Sequence, residues 1–360
     1  MTQDRPQEHL PVAVDAMGGD RAPRVVIEGA IAACQSGAGP IVLVGDQTLL
    51  ASELERLGGA DLPITLQHAS EQIAMGENPS RAARRKRDSS MHGCFRLVEN
   101  GEACAAVTAG NSGAFLAVGL LTVRRLKKCE RPCLVTSLPT QPKPTILLDI
   151  GANVDVRATH LAQFALMGAA YSEVQYGTQT PSVALLSNGT EPTKGTDSLR
   201  EAHRLLTQTP INYIGFVEGR DLSSGCADVV VTDGLTGNIV LKLCEGLVKT
   251  LFGRVKTAIQ SRPLAMALAP VFRRPLQALY DELDWESIGA APILGLNGVA
   301  LVGHGQSSAK AISNAIINAR RASSQGLTDA IETTLEMNAP SAEISTSELP
   351  LSSTDELFDE

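Results

Sequence analysis

A single local pattern recurs along the chain and limits what it can fold into. A short run rich in β-branched residues is followed by a tight loop of Gly, Asn, Asp or Ser, and then by apolar residues at helical spacing. The series opens with VAVDAMGGD leading into APRVVIEGAIAAC. It returns at AAVTAGNSG before AFLAVGLL, at TILLDIGAN before the helix containing His160, and at SVALLSNGTEPTKG before SLREAHRLL. DVVVTDGLTGN before IVLKLCEGL and GVALVGHGQSS before AKAISNAIINA follow. Strands apolar on both faces and alternating with helices predict a parallel sheet covered on both sides, with right-handed crossovers. The expected class is α/β, a three-layer αβα with a mainly parallel sheet. In such a sheet the strand-to-helix loops share the carboxyl edge, where helix N-termini present free N–H groups. The polar loops are therefore expected to converge on one site.

Two regions break the pattern. From Val255 to Leu283 an apolar, largely helical stretch carries three prolines, Pro263, Pro270 and Pro275. Proline interrupts helices, so the reading is a helical hairpin inserted at 255–285, with Pro270 and Pro275 making the break. Within it Leu264, Leu268, Val271, Phe272, Leu276, Leu279 and Leu283 form one apolar stripe, flanked by Arg262, Arg273 and Arg274. Leu268 and Phe272 are expected to meet either an anionic membrane surface or a second copy of the chain. The other region is the end of the chain, rich in Ser, Thr and Glu. The expected organisation is a disordered N-terminus over 1–10, one domain over 11–325 and an acidic, mostly disordered tail over 326–360.

At 360 residues and 43% hydrophobic content, the chain can bury a sizeable core. Only 3% of it is aromatic, with one tryptophan, too little for the stacking platforms of single-stranded nucleic-acid binders. Nucleic acid is an unexpected partner. From Ala322 to Glu360 there are nine Asp or Glu and no Lys or Arg, so the formal charge of −8 belongs to the tail and the body sits near neutrality. Within that body, cations gather at Arg81, Arg84, Arg85, Lys86 and Arg87, and again from Arg124 to Arg131. Such runs are either solvated helix faces or a docking surface for an acidic partner. Seven cysteines with neither CxxC pairing nor a zinc-ligand pattern read as small buried hydrophobes in a reducing compartment. No secretory signal is visible at MTQDRPQEHL, and the most apolar stretch, Ala114 to Val123, falls well short of the roughly 20 residues of a spanning helix.

DAMGGD lacks the glycine spacing of a dinucleotide loop, and no GxxxxGK[ST] occurs, so nucleotide cofactors lose support. Gly and Asn loops at helix starts instead suit an anion held by backbone N–H groups. Asn111 in AGNSG, Asn153 in GAN and Asn188 in SNG either bind such an anion or cap the helices that follow. Lys194 is placed to neutralise a phosphate, or is a surface lysine. Asp15 and Asp233 each end a strand and either orient a reactant or cap a helix. His304, between Gly303 and Gly305, suits a proton carrier for a departing thiol. His160 packs or caps locally. Ser89 and Ser90 follow the basic run and either hold phosphate oxygens or start a helix.

In order and spacing, DAMGGDRAP, GENPSRAARRKRDSSM, VTAGNSGAFLA, LLDIGANVD, NGTEPTKGTDS, FVEGRDL, DVVVTDGLTGNIVLK and APILGLNGVALVGHGQSSAKAI resemble the bacterial phosphate acyltransferase family from about Pro11 to Arg320. The resemblance implies transfer of a fatty acyl group from acyl carrier protein to inorganic phosphate, for phospholipid synthesis. It also implies a phosphotransacetylase-like fold, a homodimer, and loose association with the inner face of the membrane near the glycerol-phosphate acyltransferase that consumes the product; from the loops and cysteines, no cofactor or metal is expected. The family's motif residues fall on Asp15, Ser89, Ser90, Asn111, Lys194, Asp233, Asn238 and His304. The serine-containing SNGTEPTKG loop and the acidic tail depart from the family pattern, and the first leaves the role of Asn188 open. Arg84, Arg85, Lys86 and Arg87 become the expected docking surface for acyl carrier protein.

The chemistry agrees with the loops. A thioester and an acyl phosphate have comparable transfer potential, and phosphate is already anionic, so orientation and oxyanion stabilisation can carry catalysis. Lys194, Asn111, Asn238 and main-chain N–H groups are the candidates for that stabilisation, with Asp233 beside them. Rival readings are a phosphotransacetylase using acyl-coenzyme A, a decarboxylating dehydrogenase of similar architecture, and a non-catalytic scaffold that binds acyl carrier protein.

Overall fold

The apolar runs form the strands of one sheet. In a computed structural model, which describes residues 10–283 and 289–338, they are β1 (Val12–Asp15), β2 (Ile41–Gly45), β3 (Ile64–His68), β4 (Ala105–Thr108), β5 (Cys133–Leu138), β6 (Thr145–Leu148), β7 (Val183–Ser187), β8 (Tyr213–Glu218), β9 (Val229–Val231), β10 (Ala291–Leu294) and β11 (Val299–Val302). Between and after them lie α1 (Arg24–Gln35), α2 (Gln47–Arg56), α3 (Pro79–Arg85), α4 (Ser90–Glu99), α5 (Ser112–Leu121), α6 (Ala158–Tyr176), α7 (Asp197–Leu206), α8 (Gly234–Gln260), α9 (Pro263–Leu283), α10 (Ala309–Ser324) and α11 (Leu327–Asn338). The strand order is β3-β2-β1-β4-β11-β10-β5-β6-β9-β7-β8.

Successive residues of a strand point to opposite faces, and here both faces are covered. Val12 and Val14 enter the core beneath α1, α6, α10 and α11, whereas Ala13 enters the core beneath α4 and α5. Ile41 and Leu43 against Val42 and Val44 divide the same way. A buried Val, Leu or Ile contributes about 1.5–3 kcal/mol, so two-sided burial explains the mainly apolar central strands, while edge strand β3 keeps Thr65, Gln67 and His68 exposed. The expected three-layer αβα architecture is present.

The expectation that all the loops converge on one edge is overturned. β10 pairs antiparallel with both β11 and β5, and β5 pairs antiparallel with β6. These reversals leave β1, β2, β3, β4, β11 and β5 running one way, while β6, β7, β8, β9 and β10 run the other. The carboxyl ends of the two halves therefore face opposite edges. Hydrophobic periodicity carries no information on strand direction, so the sequence reading could not detect this.

The hairpin is longer than expected and turns elsewhere. It comprises the whole of α8 and α9, with the turn at Ser261 and Arg262. Proline disfavours the α region for the preceding residue and is tolerated at the first helical position, so Arg262–Pro263 is the strongest local break. Pro270 and Pro275 lie inside α9; each removes one helical hydrogen bond on a largely exposed helix, where water can satisfy the carbonyl left over. Of α8 only Gly234 and Gly237 are buried. Phe252 and Tyr280 hold the two helices together with rings 5.1 Å apart and nearly perpendicular.

The domain also extends past 325. Leu327, Ile331 and Leu335, spaced four apart, are buried on one face of α11, which packs against α6. The expectations for residues 1–9 and 339–360, and for the side chain of Leu268, lie outside the described residues. All seven cysteines are free thiols, four of them buried. Among the described residues no helix is long and apolar enough to cross a membrane.

Candidate active site

Asp15 ends β1 fully buried. Its carboxylate accepts the Thr108 hydroxyl at 2.6 Å and the Met17 N–H at 3.1 Å, and the Ser90 hydroxyl also bonds to it. Burial pushes this carboxyl above its usual pKa, and those hydrogen bonds pull it partly back. Thr108 in turn accepts the Gly110 N–H at 2.9 Å. Asp15 thus ties the DAMGGD loop to the AGNSG loop from below. Gly18 has no alternative here, because a Cβ would fall 2.5 Å from the Asp15 carboxylate. Ser89 caps α4, bonding the His92 ring at 2.8 Å.

Asn111 caps α5 by accepting the Ala114 N–H, and its amide donates to the carbonyls of Met75 and Glu77 at 3.0 Å each. It therefore pins the 74–77 segment against the AGNSG loop. On the same edge, the loop after β11 carries exposed His304, whose Nδ1 accepts the Gln306 N–H at 3.2 Å. The loop is fastened to the one after β1 by the Asp20 N–H donating to the Gly305 carbonyl and by Arg21 donating to two further carbonyls.

On the opposite edge Asp149, which sequence reasoning did not single out, organises the loop after β6. It is fully buried and accepts the N–H groups of Leu134, Ala152 and Asn153 at 2.7–3.1 Å, together with the Asn153 amide at 3.0 Å. Burial again raises its pKa against those bonds. An Asp ending an apolar strand before Gly-Ala-Asn is the same signal that drew attention to Asp15 and Asp233. Asn153 also donates to the Pro132 carbonyl at 2.8 Å, so its polar atoms serve the loop. Asp233 caps α8 through the Thr236 N–H and hydroxyl. Asn188 accepts the Gly195 N–H at 3.0 Å and shapes its own loop.

Between the two edges a cavity of about 400 Å³ opens over β5 and β10. Leu134, Ile150, Leu241, Ala291 and Val302 supply its apolar wall. Its polar groups come from three directions: Asp20, Gly110 and Ser112 from loops of the first half, His304 and Gln306 from the loop after β11, and Asn238, Lys242 and Glu245 from α8. α8 starts at the second edge and crosses the sheet face, which is how one helix brings a polar row to loops of the other half. Two of the expected catalytic residues, Asn238 and His304, meet here. Asn111 stands behind Gly110 and Ser112. Asp15, Ser89, Ser90, Asn153 and Asp233 support the surrounding loops without lining the cavity.

Lys194 and Asn188 do not reach it. Their loop follows β7, which β6 and β9 separate from β5, a lateral offset of roughly 14 Å at about 4.8 Å per strand. Lys194 is exposed, its chain folded over Gly189. Among the described residues, the lysine lining the cavity is Lys242, which sequence reasoning passed over; Asn238, Lys242 and Glu245, spaced four and three along a helix that follows a strand-ending TDG loop, were the available signal.

The basic cluster forms a separate feature. A cavity of about 570 Å³ is lined by Glu71, Glu77, Asn78, Arg81, Arg85 and Lys86. Lys86 is committed within it, its ammonium 2.6 Å from Glu77 and 2.7 Å from the Gln72 carbonyl. Arg84 and Arg87 are exposed outside it.

Residues 10–330 match the family model described as fatty acid synthesis protein. The chain is 46% identical to a phosphate acyltransferase of Syntrophotalea carbinolica over 333 residues, covering 92% of this chain and 96% of that one. The chain belongs to the phosphate acyltransferase family. A second member, from Trichlorobacter lovleyi, is 44% identical over 327 residues, covering 91% and 95%. Two solved structures share the fold of this chain. A phosphotransacetylase from Streptococcus pyogenes superposes with a TM-score of 0.61 at 19% identity, covering 87% and 94%, and the EutD phosphotransacetylase from Staphylococcus aureus with 0.55 at 18%, covering 88% and 95%.

Proposed function

We propose that this chain transfers a fatty acyl group from the thioester of acyl carrier protein to inorganic phosphate, forming an acyl phosphate for phospholipid synthesis. The family match carries the reaction, and the cavity fits it: an apolar wall for an acyl chain faces a polar rim and glycine loops able to take an anion. A phosphate oxygen attacks the thioester carbonyl carbon. The carbonyl oxygen takes up negative charge, which the Asn238 amide and loop N–H groups stabilise, a contribution worth about 2.7–4 kcal/mol per well-placed donor. Collapse breaks the carbon–sulfur bond, and His304 gives the departing thiolate its proton. Asn111, Asp15 and Asp149 hold the loops that aim these groups.

Features of the surface support the partners of this reading. Arg84, Arg85 and Arg87 suit an acidic carrier protein. Leu235, Ile239, Leu243, Leu247 and Leu251 form an exposed row along α8, and Val271, Phe272 and Leu279 are exposed on α9. Such a surface supports a homodimer or peripheral attachment to the inner face of the membrane, beside a glycerol-phosphate acyltransferase. The test is to incubate purified protein with acyl carrier protein thioester and phosphate, trapping acyl phosphate as a hydroxamate. Product only when acyl-coenzyme A replaces the carrier would assign the chain to the phosphotransacetylase reaction; no product from either donor would refute acyl transfer to phosphate.

A further inference from the structure

We infer that Lys242 on α8 is the phosphate-binding cation of the cavity, and that Glu245 holds its ammonium in place until phosphate arrives. The inference rests on the phosphate acyltransferase reading. A phosphate dianion moving from water into a cavity with an apolar wall must find compensating charge there, because an unpaired buried ion is strongly disfavoured. Among the described residues lining the cavity, Lys242 is the lysine or arginine; the other ionisable groups are His304, Asp20 and Glu245. Lys242 lies four residues after Asn238 on the same helix face, so both donors reach one ligand. Across the cavity stand Gly110 and Ser112 at the start of α5, and the GHGQ loop. An anion between them meets a lysine on one side and helix-start N–H groups on the other.

Among the described residues, no other lysine or arginine lines the cavity. Lys194 sits on the far edge, and Arg21 is spent on the carbonyls of Gln306 and Ser307 at 2.8–2.9 Å. The Lys242 ammonium now lies 2.9 Å from a Glu245 carboxylate oxygen. The side chain of Lys242 is 48% exposed and that of Glu245 18%, so the pair stands at the rim. A single carboxylate there competes weakly with a dianion. Phosphate takes the ammonium over and Glu245 swings toward water. Neutralising Glu245 therefore frees the lysine, and the two substitutions act in opposite directions on phosphate affinity.

The experiment measures initial rates against phosphate concentration, and against donor concentration, for Lys242→Ala, Lys242→Arg, Glu245→Gln and the control Lys249→Ala, which is exposed on the same helix outside the cavity. Lys242→Ala should lower kcat/KM for phosphate by about 10- to 150-fold, the size of one charge-assisted hydrogen bond, with the donor KM changed by less than about twofold. Lys242→Arg should recover part of the loss, and Glu245→Gln should lower the phosphate KM. Added inorganic phosphate should raise the Tm of the wild type and of Lys249→Ala, and leave that of Lys242→Ala unmoved. A folded Lys242→Ala protein with wild-type phosphate dependence overturns the inference, as does an equal loss toward both substrates. If the wild type forms no acyl phosphate, the functional reading fails, while the phosphate-induced Tm shift still decides for or against Lys242.

Discussion

Gly237→Ala should cost catalysis more than stability. Gly237 lies in the first turn of α8, against the loop after β6. A Cβ added there would fall 1.9 Å from the Asp149 carbonyl oxygen and 3.0 Å from its carbon. Carbon and carbonyl oxygen approach no closer than about 3.3 Å, so this end of α8 must withdraw by about 1.4 Å. It can do so, because only Gly234 and Gly237 of that helix are buried. Overpacking of this kind costs about 1–3 kcal/mol, offset in part by the helix preference of Ala over Gly, about 0.5–1 kcal/mol. The same movement carries Asn238 and Lys242 with it, and a displacement of about 1 Å in a reacting geometry can cost about 100-fold in rate. Gly246→Ala is the internal control: it lies on the same helix with nothing within 4 Å of the new Cβ, and should stabilise the protein slightly with unchanged kinetics. The assay is kcat/KM for acyl phosphate formation beside a thermal melt. A folded Gly237→Ala protein with wild-type kcat/KM would show that the register of α8 does not set the site.

Reversing Arg84, Arg85 and Arg87 to Glu should raise KM for acyl carrier protein thioester and flatten its salt dependence; wild-type values for both would leave the cluster as a solvated helix face. If the α9 stripe meets a membrane, replacing Leu268 and Phe272 with Glu should abolish binding to anionic vesicles in co-sedimentation without dissociating a dimer in light scattering; dimer loss with vesicle binding unchanged would place the stripe at a subunit contact instead. Because burial raises the Asp15 carboxyl above the usual carboxylate range, the folded state holds that proton more tightly than the unfolded chain. That preference favours folding below the unfolded pKa and is lost as pH rises through the folded one. Asp15→Asn, which cannot ionise, should therefore gain stability relative to wild type as pH rises through that window in denaturant titrations, and a relative loss would contradict the sign.

Local chemistry was legible in the sequence because it acts over a few residues. Runs such as TILL and VALV declared strands buried on both faces, and a cap was one of the two roles that position offered for Asn111, Asp233 and Ser89, the one their hydrogen bonds now show. The ordered motifs were enough to reach the family. Strand direction was not legible, since period-2 burial is the same whichever way a strand runs, and the reversals at β10 and between β5 and β6 came only with tertiary pairing. That choice decided which loops meet. It brought His304 opposite Asn238, left Lys194 three strands from the cavity, and turned Lys242 from an ordinary lysine in an amphipathic helix into the cation facing the loops of the other half. The packing of α11 was hidden for a related reason. Leu327, Ile331 and Leu335 are a weak stripe in an acidic segment until α6 supplies the surface that buries them, and a helix short of partners is only marginally stable on its own.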